Sequence, residues 1–129
     1  MGIFNKLFNG SSNENEDLNL KWIELNEKKQ LENIKTKSTS KPQIIFKHST
    51  RCGISRMVKR QFETQYNLNE QEADLYVLDL LNYRDISNLI AENFNVFHES
   101  PQLIAVKNGE VVKHASHGQI LDLELSKLV

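Results

Sequence analysis

Cysteine occurs once in the chain, as Cys52, within Thr50-Arg51-Cys52-Gly53-Ile54-Ser55. A lone thiol cannot close a disulfide within its own chain, and it cannot supply a Cys-rich zinc or iron–sulfur site. It can act as a nucleophile, because the thiolate is the attacking species in thiol–disulfide exchange. From Gly53 onward Ile54, Val58 and Phe62 recur at helical spacing with Met57 beside them. A helix is therefore expected over 53–66, with Cys52 at its start. The first N–H groups of a helix lack internal acceptors, and together with the helix dipole they favour a thiolate. Gly53 leaves the sulfur unshielded, and Ser55 stands where a Cys-x-x-Cys motif carries its second cysteine. The Ser55 hydroxyl can hydrogen-bond a thiolate but cannot resolve a mixed disulfide, so an external thiol must release the product.

Local charge points the same way. Residues 47–60 hold Lys47, Arg51, Arg56, Lys59 and Arg60 and no acid. Arg51 is the nearest candidate to stabilise the thiolate, and Arg56 with Lys59 or Arg60 can attract an anionic thiol substrate. A cysteine that merely fills space belongs in mid-strand or on an apolar helix face. Cys52 instead follows four polar residues, His48-Ser49-Thr50-Arg51.

The elements that must position this residue can be read in order. Trp22-Ile23-Glu24-Leu25 is a short strand, Asn26 suits a helix N-cap, and Leu31 and Ile34 give the helix behind it an apolar face. Gln43-Ile44-Ile45-Phe46-Lys47 is a strand, followed by the 53–66 helix. Leu75 to Leu80 is apolar except for Asp79, which fits a strand covered on both faces. Ile86, Leu89, Ile90 and Phe94 mark a further amphipathic helix. Strands 102–107 and 110–115 flank Asn108-Gly109, a two-residue hairpin turn that needs positive φ at both positions. A closing helix is expected over Gly118 to Leu128.

That order, β-α-β-α-β-α-β-β-α, calls for parallel pairing through right-handed crossovers plus a terminal antiparallel pair. The expected fold is α/β, a mixed β-sheet with helices on both faces, and it matches the thioredoxin-like plan. Pro101 opens the penultimate strand, where a residue without an N–H is tolerated. In thioredoxin-like folds the proline at this point is cis and sits against the active-site cysteine. Residues 1–17 read as a flexible N-terminal tail with a short amphipathic start (Ile3, Phe4, Leu7, Phe8), and 18–129 as the thioredoxin-like domain.

The remaining composition narrows the function classes. The 129 residues carry 16 Lys+Arg and 17 Asp+Glu, a net charge of −1. A general electrostatic nucleic-acid binder would be far more basic. No apolar run approaches the roughly 20 residues needed to span a bilayer. His48, His98, His114 and His117 are too dispersed for a metal site, so no metal is expected. His48 and His98 flank the cysteine loop and Pro101 in sequence, where either can donate to the thiolate or act as a base. His117 with Ser116 is read as capping the closing helix. The expected setting is a reducing cytoplasm, and the expected state a monomer.

Three segments carry a family resemblance: Phe46-Lys47-His48-Ser49-Thr50-Arg51-Cys52-x-Ile54-Ser55, His98-Glu99-Ser100-Pro101-Gln102, and Ala115-Ser116-His117. On these the sequence resembles the YtxJ family of monothiol bacilliredoxin-like proteins, in looser form from about Trp22 to the C-terminus. The resemblance implies a redox role with bacillithiol, a low-molecular-weight thiol carrying malate carboxylates. The partners would be that thiol, as co-substrate, and the client proteins it modifies. Cys52 would be the nucleophile that takes the thiol over, with Ser100 and Pro101 shaping the groove beside it. Thr50, Arg56 and His98 join Ser100 and Pro101 as expected substrate contacts, and Arg51, Gly53 and Ser55 as the surroundings of the thiolate. Gly53 departs from the proline found in some relatives, and Gly118 from the larger residues that often follow the Ser-His pair. The alternative, from another class, is a redox-silent thioredoxin-like module that binds a partner protein beside Pro101.

Overall fold

The computed structural model describes residues 20–128. The 1–17 tail and the domain start near Leu18 lie outside the described residues. Among the described residues five strands and three α-helices alternate as β1 (Trp22–Glu24), α1 (Lys29–Lys37), β2 (Gln43–His48), α2 (Gly53–Gln65), β3 (Asp74–Asp79), α3 (Arg84–Phe94), β4 (Gln102–Lys107) and β5 (Glu110–Ser116). Two 3₁₀ helices, His117–Asp122 and Leu125–Leu128, follow. The strands form one sheet in the order β1-β3-β2-β4-β5. β1 and β2 pair parallel to β3, whereas β4 runs antiparallel to β2 and β5 antiparallel to β4. This is the mixed sheet that the element order implies.

Strand alternation divides the core. Ile45, Tyr76, Leu78, Ile104 and Val106 point to one face, where Leu31 and Ile34 of α1 and Ile86, Ile90 and Phe94 of α3 cover them. Ile44, Phe46, Leu75, Leu103 and Ala105 point to the other, covered by Val58 and Phe62 of α2 and by Ile120, Leu125 and Leu128. All six residues of β2 are buried, because both faces of this central strand are covered. The apolar stretches 44–46 of β2 and 103–106 of β4 are accordingly unbroken.

The hairpin turn has the expected backbone, with φ of 55° at Asn108 and 80° at Gly109. It is pinned to the end of α1: Asn108 N–H donates to the Ser38 carbonyl and Gly109 N–H to Ser38 Oγ, both at 2.8 Å. A Cβ at Gly109 would meet nothing within 4 Å, so only backbone strain opposes a side chain there. Gly109→Ala is accordingly expected to lower stability by about 1–2 kcal/mol, read as a shift in the urea midpoint. An unchanged midpoint would contradict the left-handed turn.

Three local expectations need correction. Asn26 does not cap α1; the helix begins at Lys29, and the side chain of Gln30 turns back to accept N–H donors from Asn26 and Glu27 at 2.8 Å. The closing segment is not one α-helix. Leu123 is extended between the two 3₁₀ helices, because Ile120, Leu121, Leu123, Leu125 and Leu128 do not form a 3.6-residue stripe. Ser116 makes no side-chain cap, and His117 after it has a left-handed φ of 56° while its N–H donates to the Pro101 carbonyl.

Candidate active site at the start of α2

Cys52 is the N-cap of α2, with extended backbone angles, and is half-buried. β2 ends at His48, and the intervening turn closes when the Cys52 N–H donates to the Ser49 carbonyl at 3.2 Å. The Cys52 carbonyl then accepts the first helical hydrogen bond, from the Arg56 N–H at 3.1 Å. No acid lies in the first turn of α2 to oppose an anion at this end. The Ser100–Pro101 peptide is cis, and Pro101 is buried. Lys47 pairs with Gln102 across β2 and β4, so the cysteine loop and Pro101 leave the sheet at the same end. The position of the thiol thus follows from topology: the carboxyl end of a parallel strand meets the amino end of its antiparallel neighbour.

Below the loop lies a polar network. Ser55 is fully buried, with its Oγ 2.9 Å from His48 Nδ1 while it accepts the Ser49 N–H at 3.1 Å. Burial lowers the His48 pKa, assisted by the positive charge of Lys59 and opposed by Asp79 and Glu63. His48 Nδ1 and Ser55 Oγ share a hydrogen bond whose direction follows the imidazole tautomer, and Ser55 in turn fixes Ser49, whose carbonyl holds Cys52. The hydrogen bonds of Ser55 therefore run to His48 and Ser49 rather than to the sulfur. Its place on the buried side of α2 also corrects the expected apolar face: Ser55, Val58 and Phe62 are inward, whereas Ile54 and Met57 are 59% and 53% exposed.

The basic residues separate. Arg56 folds back over the helix start, donating from Nη1 to the Thr50 carbonyl at 3.0 Å. Its Nη2 lies 3.9 Å from where a Gly53 Cβ would stand, so the guanidinium rests along the first turn. Arg51 and Thr50 are exposed, and the Arg51 side chain makes no hydrogen bond or ion pair among the described residues. Lys59 is committed elsewhere: it pairs with Glu63 at 2.8 Å and lies 4.8 Å over the Trp22 ring, while Trp22 Nε1 donates to the same carboxylate. Arg60 is exposed.

The loop before Pro101 holds the other expected contacts. Ser100 Oγ is buried without a partner among the described residues. His98 is exposed, yet its Nδ1 lies 3.0 Å from Lys47 Nζ and 3.3 Å from Ser87 Oγ. Sequence reasoning counted Lys47 only as local positive charge, missing its burial against His98, and missed Ser87 altogether. The available signal was a charged residue inside a strand covered on both faces, since such a side chain has no route to solvent. Among the described residues no group of three or more His, Cys, Asp or Glu could hold a metal ion. No helix among them is long and apolar enough to cross a membrane.

Comparison with known proteins agrees with this fold. The family model described as monothiol bacilliredoxin BrxC matches residues 23–125. A solved structure described as having a thioredoxin fold is 37% identical, with a TM-score of 0.65, covering 82% of this chain and 88% of that one. Thioredoxin from Trypanosoma brucei brucei aligns at 16% identity and a TM-score of 0.61, covering 84% and 90% of the two chains. Thioredoxin from Malassezia sympodialis aligns at 19% and 0.59, covering 84% of each.

Proposed function

The chain belongs to the monothiol bacilliredoxin family, and from that premise we propose that it is a monothiol thiol–disulfide oxidoreductase that takes bacillithiol from protein mixed disulfides. The observation that carries this reading is the lone cysteine at the N-cap of α2, half-exposed at the sheet end where Pro101 also emerges. Unpaired N–H groups and the helix dipole at that position stabilise negative charge on sulfur.

The chemistry is a two-step exchange. Cys52 thiolate attacks the bacillithiol sulfur of the mixed disulfide in line with the S–S bond. That bond breaks, the client sulfur leaves as a thiolate and takes a proton from solvent, and Cys52 carries bacillithiol as a new disulfide. An external thiolate then attacks the Cys52 disulfide, and Cys52 departs as the thiolate it began as. One disulfide is exchanged for another at each step, with no net oxidation of the protein. The Arg56 guanidinium, held at the first turn of α2, and the exposed Arg51 supply positive charge for the malate carboxylates. An extended client backbone can pair with the main chain of Ser100, ahead of the buried proline.

The test is intact-mass measurement after parallel incubation with bacillithiol disulfide and glutathione disulfide. The expected result is one adduct per chain, formed preferentially with bacillithiol and absent from Cys52→Ala. No adduct with either disulfide would overturn the reading in favour of a binding module. Equal addition of both would remove bacillithiol as the specific co-substrate.

A further inference from the structure

Lys47 is fully buried near the carboxyl end of the central strand β2, paired in register with Leu78 of β3 and Gln102 of β4. It alternates with Phe46 and so shares the face of Ile45, under α1 and α3. Lysine is almost never fully buried unless it is paired. No carboxylate among the described residues lies within ion-pair distance of its Nζ. Its partner is instead His98 Nδ1 at 3.0 Å, which also faces Ser87 Oγ at 3.3 Å. An ammonium can only donate, so the nitrogen it meets must accept, and the proton of a neutral ring must reside on Nε2.

We propose that Lys47 is a positioning residue: by donating to Nδ1 it fixes His98 as the Nε2–H tautomer, and so sets a directed hydrogen-bond donor for a carboxylate of the small thiol on the loop that leads into Ser100–Pro101. The substrate half of this inference rests on the function proposed above, whereas the tautomer does not. The groups that face His98 are consistent with a neutral ring. Burial and the positive charges of Lys47 on β2 and Arg84 on α3 hold it below the ordinary imidazole value, with Glu99 in its own loop acting in the opposite direction. Burial likewise brings the Lys47 ammonium down to about 8, so it remains mostly protonated at neutral pH.

Two measurements test the two halves. Long-range proton–nitrogen NMR correlation at neutral pH is expected to show His98 protonated at Nε2 alone. In Lys47→Met, which replaces the lysine by an apolar chain of similar length, a mixture of tautomers is expected, together with a raised titration midpoint for His98. A wild-type ring protonated at Nδ1 would overturn the proposal, whatever the protein reacts with. For the substrate half, rates of Cys52 adduct formation are compared between bacillithiol disulfide and neutral hydroxyethyl disulfide. Lys47→Met is expected to reduce the preference for the acidic disulfide by about tenfold while sparing the neutral one, and His98→Ala to reduce that preference at least as far, as loss of a charge-assisted hydrogen bond would. His98→Gln, whose amide can donate near the position of Nε2, is expected to keep most of the preference. Adding Lys47→Met to it is expected to cost nothing further, since Lys47 would act only through the ring. Equal loss with both disulfides, or a further loss in that double variant, would assign Lys47 a general structural role and refute the proposal. Failure of every variant and the wild type to form any adduct would refute the oxidoreductase reading and the substrate half alike, with the NMR result still deciding the tautomer.

Discussion

Oxidised Ser55→Cys protein is expected to contain an internal disulfide to Cys52 and no free thiol, which would convert a one-thiol exchanger into a dithiol one. Cys52 is the N-cap of α2 and position 55 lies one turn along it. Residues three apart in a helical turn have Cα atoms about 5–6 Å apart, within the range of about 4.4–6.8 Å that disulfides require. Position 55 is fully buried, so the introduced sulfur would be sheltered from solution thiols but within reach of Cys52. The chemical consequence is large. A bacillithiol adduct on Cys52 would be attacked by the neighbouring sulfur, the small thiol would leave, and the adduct that dominates the wild-type mass spectrum would not accumulate. The substitution also removes the hydroxyl that bridges His48 and Ser49, a loss of about 1–3 kcal/mol for buried groups left without a partner. Intact mass and alkylation after oxidation provide the readout. Two alkylatable thiols in the oxidised variant would show that the first turn of α2 does not hold the two side chains together.

How far the site was legible follows from which interactions are local. Asn108-Gly109 announces its turn because only residues that tolerate positive φ can occupy it, and both do. The strand–cysteine–helix junction is legible for the same reason: four polar residues and a glycine interrupt two apolar periods. Ser55 and Lys47 are different. Each looks solvent-facing by residue type, and each is buried because its partner comes from elsewhere: His48, seven residues earlier, for Ser55, and His98, 51 residues later, for Lys47. A hydrophobic pattern assigns Ile54 to the core in place of Ser55 because it cannot see that a buried imidazole needs a hydrogen-bond partner there. The closing segment failed differently. Its leucines are frequent enough to suggest a helix, but their spacing is decided by how an irregular tail must thread over α2 and the sheet, and no local rule encodes that path.

Phe62→Ala is expected to destabilise the fold by about 3–5 kcal/mol, the usual range for deleting a buried aromatic ring. Phe62 is 2% exposed and touches three other rings, with centroid distances of 5.4 Å to Phe46, 5.4 Å to Tyr66 and 6.1 Å to Trp22. Such pairs contribute roughly 0.5–1.5 kcal/mol each beyond the area they bury, so the cavity and the lost ring contacts act together. Measured against a typical domain stability of about 5–15 kcal/mol, the loss is at least about a fifth of the total. Its effect should also be local. The buried residues of α2 are Ser55, Val58 and Phe62. Without the ring, Val58, the Ser55–His48 hydrogen bond and the contacts of Lys59 and Glu63 with Trp22 remain to attach the helix that presents Cys52. The other face of the sheet, under α1 and α3, keeps its own cluster intact. Amide exchange in α2 is therefore expected to accelerate more than in α3, and Cys52 adduct formation to slow before global unfolding is detectable. A urea-derived loss below about 1 kcal/mol, or equal acceleration of exchange in both helices, would contradict the arrangement. In that case the thiol would be held in place by its own loop, and the aromatic cluster would have no part in presenting it.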